Sequence, residues 1–139
     1  MTPRHVVVDA NVLLSFLVAR NPSQRESAKA LLVSAEEGEI VAVVPQFVIF
    51  EIVYVLQSFY GIAAGQTATL MRELIALPGV LLTDHCPWKK VYEYWPDQVA
   101  TIADAAIVAV AVSKHYDAVA TFDHKMTRKM KAVGVESYW

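Results

Sequence analysis

Short apolar segments alternate with longer, helix-like segments along the sequence. Strands separated by helices form parallel sheets with the helices packed on their faces. The order of segments therefore predicts an α/β protein with a central, mostly parallel sheet of four to five strands. The four predicted strands are HVVVD (5–9), EIVAVVP (39–45), VLLT (80–83) and AVATF (118–122), and VES (135–137) is a candidate fifth strand at an edge.

Most segments between these strands carry the signals of helices. Residues 22–37 have a capping asparagine and a proline at their start and a glycine after their end. Residues 46–60 are rich in β-branched and aromatic side chains, which also suit a strand. Their length and their position after Pro45 favour a helix. Residues 99–115 are apolar nearly all round, which predicts a buried helix, and residues 87–96 have no clear assignment.

The composition indicates one folded domain, residues 1–139, with a surplus of apolar side chains. Hydrophobic residues make up 55% of the chain, above the usual ~45–50%. The surplus indicates either a large core or apolar surface that a partner covers. The net charge is −2 and the pI is about 6.0, so binding to nucleic acid would require a local basic patch.

The sequence predicts a cytoplasmic protein without a membrane span. Cys86 is the one cysteine, so no intrachain disulfide can form, which is consistent with a reducing compartment. The longest nearly apolar stretches, 40–56 and 99–112, each contain an acid. Both fall short of the roughly 18–20 uncharged residues that a membrane helix needs.

Two carboxylates stand where predicted strands end. Asp9 ends the strand in VVVDANVLL, and Asp123 directly follows AVATF. In parallel α/β sheets, binding sites form beyond the carboxyl ends of the strands. We therefore expect Asp9 and Asp123 to lie at the same edge of the sheet.

Two further acids lie among apolar residues of predicted helices. Glu51 has Phe47, Val48, Tyr54 and Val55 at helical spacing, so we expect its side chain on an apolar, inward face. Asp104 has a similar apolar setting, and we expect it to face inward too. A single buried acid can cap a helix or pair with an arginine.

Four such acids are harder to neutralise, because the candidate partners are only three arginines, namely Arg4, Arg20 and Arg72. A divalent cation removes the repulsion among clustered carboxylates. All-oxygen ligands favour Mg²⁺ or Mn²⁺ over Zn²⁺. Carboxylate-bound Mg²⁺ commonly serves phosphate chemistry, with an activated water as the nucleophile. The sequence contains no G-x-S-x-G, P-loop or G-x-G-x-x-G motif that would indicate another chemistry.

These motifs resemble those of the PIN-domain endoribonucleases, and most closely the small VapC-type toxins of type II toxin–antitoxin pairs. VVVDANVLL is similar to the first family motif, with Asp9 as its acid, and Glu51 after PQFVIF takes the place of the second acid. ADAAIVAVA resembles the third motif, with Asp104, and AVATFDHKM resembles the fourth, with Asp123. The four motifs occur in order over nearly the whole chain.

The resemblance implies a three-layer α/β/α fold and Mg²⁺- or Mn²⁺-dependent cleavage of RNA that inhibits translation. It also implies a homodimer and a VapB-type antitoxin as partner. Asn11 matches a family position that orients the first acid, and Thr121 matches one that supports the fourth. The family often has an aromatic residue three positions after the last acid, where this chain has Met126; this departure bears on packing more than on metal binding.

Two groups of residues are candidates for RNA contact. The first is a cluster of cations after the fourth acid, Lys125, Arg128, Lys129 and Lys131, which suits phosphate binding but is also typical of a solvated helix face. The second group combines lysines with aromatic side chains between Trp88 and Trp95. Those aromatics suit base stacking and equally suit a core or a dimer interface.

Two other functions compete with the nuclease. A haloacid-dehalogenase-like phosphatase begins with a strand ending in D-x-D, and the DANV sequence comes close, but Asn11 stands where that family has its second aspartate. A PIN-like binding module without catalysis is the other alternative. The module need not bind Mn²⁺, whereas the nuclease must, so metal binding discriminates the two.

Overall fold

Four parallel strands form the central sheet of the structure, a computed structural model that describes residues 2–139. The strand order is β3-β2-β1-β4, so β1 lies between β2 and β4. All three strand pairs are parallel, which confirms the predicted fold class. The strands are β1 (Arg4–Val8), β2 (Ile40–Pro45), β3 (Val80–Thr83) and β4 (Ala118–Ala120).

Within residues 2–139, seven helices occupy the segments between and after these strands. The unassigned stretch at 87–96 contains a short helix, and the segment at 46–60 is helical as predicted. The helices are α1 (Ala10–Leu17), α2 (Pro22–Glu36), α3 (Gln46–Ser58), α4 (Ala64–Ile75), α5 (Trp88–Tyr94), α6 (Ile102–Ser113) and α7 (His124–Ala132).

The core is centred on β1 and α6. Val6, Val7 and Val8 of β1 are fully buried, as expected for a central strand covered on both faces. Residues 105–111 of α6 are all buried, which agrees with the prediction of a helix that is apolar nearly all round. These two elements hold the centre of the sheet in place, and with it the edge where the candidate acids lie.

The candidate fifth strand is reduced to a single bridge. Ser137 pairs with Val119 of β4 in parallel. The backbone N–H of Val119 donates to the Glu136 oxygen at 2.9 Å, and the N–H of Tyr138 donates to the Val119 oxygen at 2.9 Å. The segment therefore lies along the free side of β4 without extending the sheet by a full strand.

The apolar surplus is divided between the core and the surface. On α3 the side chains of Phe50 and Tyr54 are 69% and 70% exposed, and Phe59 just after the helix is 78% exposed. The edge strand β3 also exposes Leu81 and Leu82. A large core thus coexists with uncovered apolar surface. Within residues 2–139, no helix has the length and apolar character needed to cross a bilayer.

Candidate active site

The two central strands end side by side and bring Asp9 next to Thr121. Val8 is paired with Ala120, and the backbone N–H of Asp9 donates to the Ala120 oxygen at 3.0 Å. The Thr121 hydroxyl then donates to Oδ2 of Asp9 at 2.8 Å. This arrangement follows from the parallel register of β1 and β4, because one residue beyond each strand lands at the same edge of the sheet.

Asn11 joins the two strand ends through both halves of its amide. Its Nδ2 donates to Oδ2 of Asp9 and to the Thr121 hydroxyl oxygen, each at 3.2 Å. Its Oδ1 accepts from the backbone N–H of Phe122 at 3.1 Å. Asp9 also accepts from the N–H of Ala10 at 2.8 Å, which caps the first turn of α1. The side chain of Asp9 is therefore held by three hydrogen bonds and is only 7% exposed.

Asp123 is the N-cap of α7 and belongs to the same network. Its Oδ1 accepts from the N–H groups of Lys125 and Met126, at 2.9 and 3.3 Å. Its own backbone N–H donates to the Thr121 hydroxyl oxygen at 3.2 Å. The Thr121 hydroxyl thus bonds to the carboxylate of Asp9 and to the backbone N–H of Asp123.

Asp104 lies in the first turn of α6, at the edge of the sheet where the strands end. Its backbone N–H donates to the Thr101 hydroxyl, the cap of that helix, at 3.3 Å. The Asp104 side chain is half-buried. A carboxylate in the first turn also interacts favourably with the helix dipole, so local helix stability accounts for part of its placement.

Glu51 lies on α3 and is exposed, so the expectation of an inward-facing side chain was wrong. The buried stripe of α3 runs through Val48, Ile52 and Leu56, and Glu51 lies beside this stripe. The expectation failed because Tyr54 is itself on the solvent side of the helix. An exposed aromatic side chain thus made the surroundings of Glu51 look like an interior face.

Three of the four candidate acids have raised pKa values, and repulsion from other acids of the set contributes to each. Burial raises the pKa of Asp9 to about 6, helped by repulsion from Asp104 and Asp123 and opposed by the hydrogen bonds from Thr121 and Ala10. Burial also raises the pKa of Glu51, and repulsion from Asp9 and Asp104 adds to it. Although the Glu51 side chain is exposed overall, its surroundings shield the carboxyl group in part.

The pKa of Asp104 is raised in the same way. Burial is the largest cause, and repulsion from Asp123 acts in the same direction. The hydrogen bond from Thr101 and the nearby charge of Lys129 oppose it. Repulsion from at least one other acid of the four thus contributes to the raised pKa of Asp9, of Glu51 and of Asp104, as expected for carboxylates at one site.

No cationic side chain of residues 2–139 forms an ion pair with these acids. The ion pair within that range joins Lys90 to Glu93 on α5 at 3.5 Å. Two of the arginines considered as partners are otherwise engaged. Arg20 donates to the Ser15 hydroxyl and to the Asn11 carbonyl oxygen, and Arg4 lies over the ring of Tyr138 at 6.0 Å. Arginine pairing therefore does not account for the acidic cluster.

The donor set fits a hard divalent cation that keeps part of its water shell. All four groups are carboxylates, the ligands that Mg²⁺ and Mn²⁺ prefer. Within residues 2–139, no three His, Cys, Asp or Glu side chains already form a compact ligand set. Direct contact with every acid is not required, since Mg²⁺ is usually bound through one or two carboxylates together with several waters.

The cations of α7 do not form one continuous strip. Met126 and Met130 face the core, and the cations are distributed around the rest of the helix. Lys129 is close enough to Asp104 to lower its pKa, whereas Lys131 lines a groove on another side of α7. Lys125 and Arg128 are exposed. The sequence could not separate these faces, because the four cations lie within seven residues of one another.

Taken together, the parallel sheet and the acids beyond its central strands define an α/β protein with a carboxylate site suited to divalent cations. The family model of the PIN domain matches residues 6–132 of this chain. The chain belongs to the PIN domain family, which is generally a family of nucleases. No curated protein matches the sequence closely enough to count as a relative.

Several solved structures share the fold at low sequence identity. VapC20 of Mycobacterium tuberculosis, a sarcin–ricin loop cleaving toxin, is 20% identical with a TM-score of 0.67, covering 94% of this chain and 95% of its own. PAE2754 of Pyrobaculum aerophilum is 18% identical with a TM-score of 0.65, covering 97% and 91%. FitAcB of Neisseria gonorrhoeae is 20% identical with a TM-score of 0.63, covering 96% of each chain. At these identities the likeness establishes the fold alone.

Proposed function

We propose that this protein is a Mg²⁺- or Mn²⁺-dependent endoribonuclease that hydrolyses RNA phosphodiester bonds. Asp9, Glu51, Asp104 and Asp123 would hold the metal. The observation that carries the proposal is the repulsion that Asp104 and Asp123 exert on Asp9, and that Asp9 and Asp104 exert on Glu51, at the carboxyl edge of a PIN-family sheet. Acids that repel one another, with no cationic side chain of residues 2–139 paired to them, form a site suited to a bound cation.

Residues of this chain would fix the geometry of the site. Asp9 is held in one orientation by Asn11, Thr121 and the start of α1, so it presents a fixed carboxylate. Lys129, which lies near Asp104, would offset negative charge as a phosphate approaches. A bound Mg²⁺ or Mn²⁺ supplies an activated water and neutralises charge at the phosphate. No nucleophilic side chain is then needed.

We further propose that the protein is the toxin of a type II toxin–antitoxin pair, that it acts in the cytoplasm as a single domain, residues 1–139, and that it inhibits translation. The fold it shares with VapC20, a sarcin–ricin loop cleaving toxin, supports this role. The uncovered apolar side chains of α3 and β3 supply surface for a second copy of the chain and for a VapB-type antitoxin.

A binding module without catalysis is the second candidate. Two observations favour it, namely the exposure of Glu51 and the lack of a compact ligand set within residues 2–139. The phosphatase alternative is disfavoured by the contacts of Asn11, because its amide is fully engaged with Asp9, Thr121 and Phe122. It is therefore not free to take part in proton transfer.

Cleavage of RNA in Mn²⁺, with EDTA as the control, tests the proposal. The informative variant is Asp104→Asn, because the Asp104 side chain caps nothing and the change preserves its shape. Glu26→Gln on the exposed face of α2 is the matched control. We expect cleavage to depend on the metal and to be lost in Asp104→Asn but kept in Glu26→Gln. Wild-type protein that neither binds Mn²⁺ nor cleaves RNA would establish the binding module instead.

A further inference from the structure

Two aromatic rings stack at the residue that links Thr121 to Asp123. The rings of Phe122 and Trp139 lie 4.8 Å apart between centroids and 14° from parallel. Phe122 is the residue between Thr121 and Asp123, and its N–H is held by Asn11. Trp139 nevertheless remains 47% exposed. One face of the indole thus rests on Phe122 while much of the ring is open to solvent.

The segment that carries Trp139 is firmly attached to the sheet. The backbone of residues 136–138 exchanges two hydrogen bonds with Val119 of β4. Arg4 lies over the ring of Tyr138, and Tyr138 makes an edge contact with Trp139 at 5.3 Å between centroids. The indole is therefore held in a defined place by a strand bridge, a cation–π contact and a stack.

A groove runs along α7 on the same side of the molecule as this segment. It has a volume of about 470 Å³ and is lined by Thr127 and Lys131 of α7 and by residues 134–137. At one end, the Thr127 hydroxyl donates to the backbone oxygen of Asp123 at 3.2 Å. Ser137, which lines the groove, stands two residues before Trp139. The groove is therefore bounded by α7, which Asp123 caps, and by the segment that leads to Trp139.

We propose that Trp139 stacks on the base of an unpaired nucleotide next to the cleaved phosphodiester, and that the RNA strand continues into the α7 groove, where Lys131 contacts a phosphate. This inference rests on the proposed nuclease function and names the form of its substrate. Stacking on an exposed aromatic ring is sequence-tolerant but requires a splayed base. The site would thus select unpaired RNA rather than a particular base.

A rival stacking site exists on α5. Trp88 and Tyr92 are 52% and 63% exposed, with ring centroids 6.0 Å apart and planes tilted by 36°. Within residues 2–139, neither side chain forms a hydrogen bond with the acidic network, whose bonds join Asp9, Asn11, Thr121 and the residues that follow Thr121. Phe122, by contrast, is covalently flanked by two members of that network, so the Phe122–Trp139 stack is the one positioned for a nucleotide at the site of cleavage.

The test compares the binding of a short, unstructured oligoribonucleotide to four proteins in EDTA at low salt, by fluorescence anisotropy. They are the wild type, Trp139→Leu, Trp139→Tyr and Trp88→Leu. All four carry the same acids, so the ratios of their affinities isolate the stack. We expect Trp139→Leu to lose about tenfold in affinity, Trp139→Tyr to keep most of it, and Trp88→Leu to bind as the wild type does.

A second measurement does not depend on how Trp139→Leu folds. A series of oligoribonucleotides with one abasic position each is bound to the wild type and to Trp139→Tyr. We expect one position at which loss of the base weakens binding, and quenching of indole fluorescence that disappears when that base is missing. In a folded Trp139→Leu variant, the same abasic position should have no effect.

Failure of the inference is distinguishable from failure of the nuclease proposal. Two outcomes would contradict the stacking site without affecting the proposed nuclease function. One is metal-dependent cleavage by Trp139→Leu with an unchanged KM, and the other is a loss of RNA affinity in Trp88→Leu instead of Trp139→Leu. If RNA binding depends on Trp139 but the protein never cleaves RNA, the stacking site would be supported and the proposed nuclease function would be wrong. Absence of both RNA binding and metal-dependent cleavage in the wild type would overturn both.

Discussion

Asp9 and Glu51 are both proposed metal ligands, but they differ in burial and in how their side chains are held. Asp9 is 7% exposed and accepts three hydrogen bonds at the junction of two strands. Glu51 is exposed on a helix, and its carboxyl accepts no hydrogen bond from residues 2–139. One side of the site is thus fixed before any metal arrives, whereas the other side can adjust to it. The fixed side should therefore carry more of the activity.

The largest effect is expected at the fixed side. Asp9→Asn should abolish Mn²⁺ binding and reduce cleavage by more than about a hundredfold, because losing a ligand costs more than the 10–100-fold typical of losing a residue that orients one. The amide would also place a donor against the Asn11 amide, while it relieves the repulsion among the acids. These opposing effects should leave the protein folded, as circular dichroism would show. Full activity in a folded Asp9→Asn variant would show that Asp9 is not a metal ligand needed for cleavage.

A smaller loss is expected when the support of the fixed side is removed. Thr121→Val deletes the hydroxyl that bonds to Asp9, Asn11 and the N–H of Asp123, so cleavage should fall by about 10–100-fold. The matched control is Thr67→Val, which removes another buried hydroxyl, bonded to the Ala63 carbonyl on α4. Equal losses of cleavage in both variants would show that general stability, rather than the orientation of the acids, is responsible.

The adjustable side should tolerate change better. Glu51→Gln should lower cleavage by about tenfold or less, because water can take the place of an exposed ligand of Mg²⁺. Apparent Mn²⁺ affinity should fall with it, and both are measured by titrating the metal in the cleavage assay. A loss of cleavage as large as that of Asp9→Asn would show that Asp9 and Glu51 contribute equally to activity. The predicted difference between the fixed and the adjustable side would then be wrong.

The smallest effect concerns stability and pH in the metal-free protein. The pKa of Asp9 is raised from 3.8 to about 6, so the folded state holds a proton there that the unfolded chain has lost. Stability should therefore increase as the pH falls from 7 to 5, by about 1 kcal/mol from Asp9 alone. Denaturant unfolding at the two pH values measures this. The raised pKa values of Glu51 and Asp104 act in the same direction, and Asp9→Asn should reduce the increase.

Metal binding should show the opposite dependence on pH. A carboxyl group must lose its proton before it binds Mn²⁺, so affinity should weaken as the pH falls below about 6, the pKa of Asp9. Affinity that is unchanged between pH 7 and 5 would indicate that Asp9 is not a ligand.

The sequence predicted the sheet and the fixed side of the site well, because both depend on local patterns. Strand-like runs that end in an acid predicted the places of Asp9 and Asp123, and helix signals predicted most of the helices. The burial of Glu51 was predicted wrongly, since hydropathy cannot show that Tyr54 is on the solvent side of its helix. The stack of Phe122 on Trp139 was not predicted, because it depends on a single bridge between distant segments, which leaves no periodic signal.

The network around Asn11 also bears on when the acidic site can form during synthesis of the chain. Its contacts join residues 110 and more positions apart, from Asp9 and Asn11 near the start of the chain to Thr121 and Phe122. A nascent chain on the ribosome cannot assemble the acids until β4 has emerged and paired with β1. Under the proposed function, the chain up to Phe122 must therefore be translated and free of the ribosome before the molecule can act on any RNA.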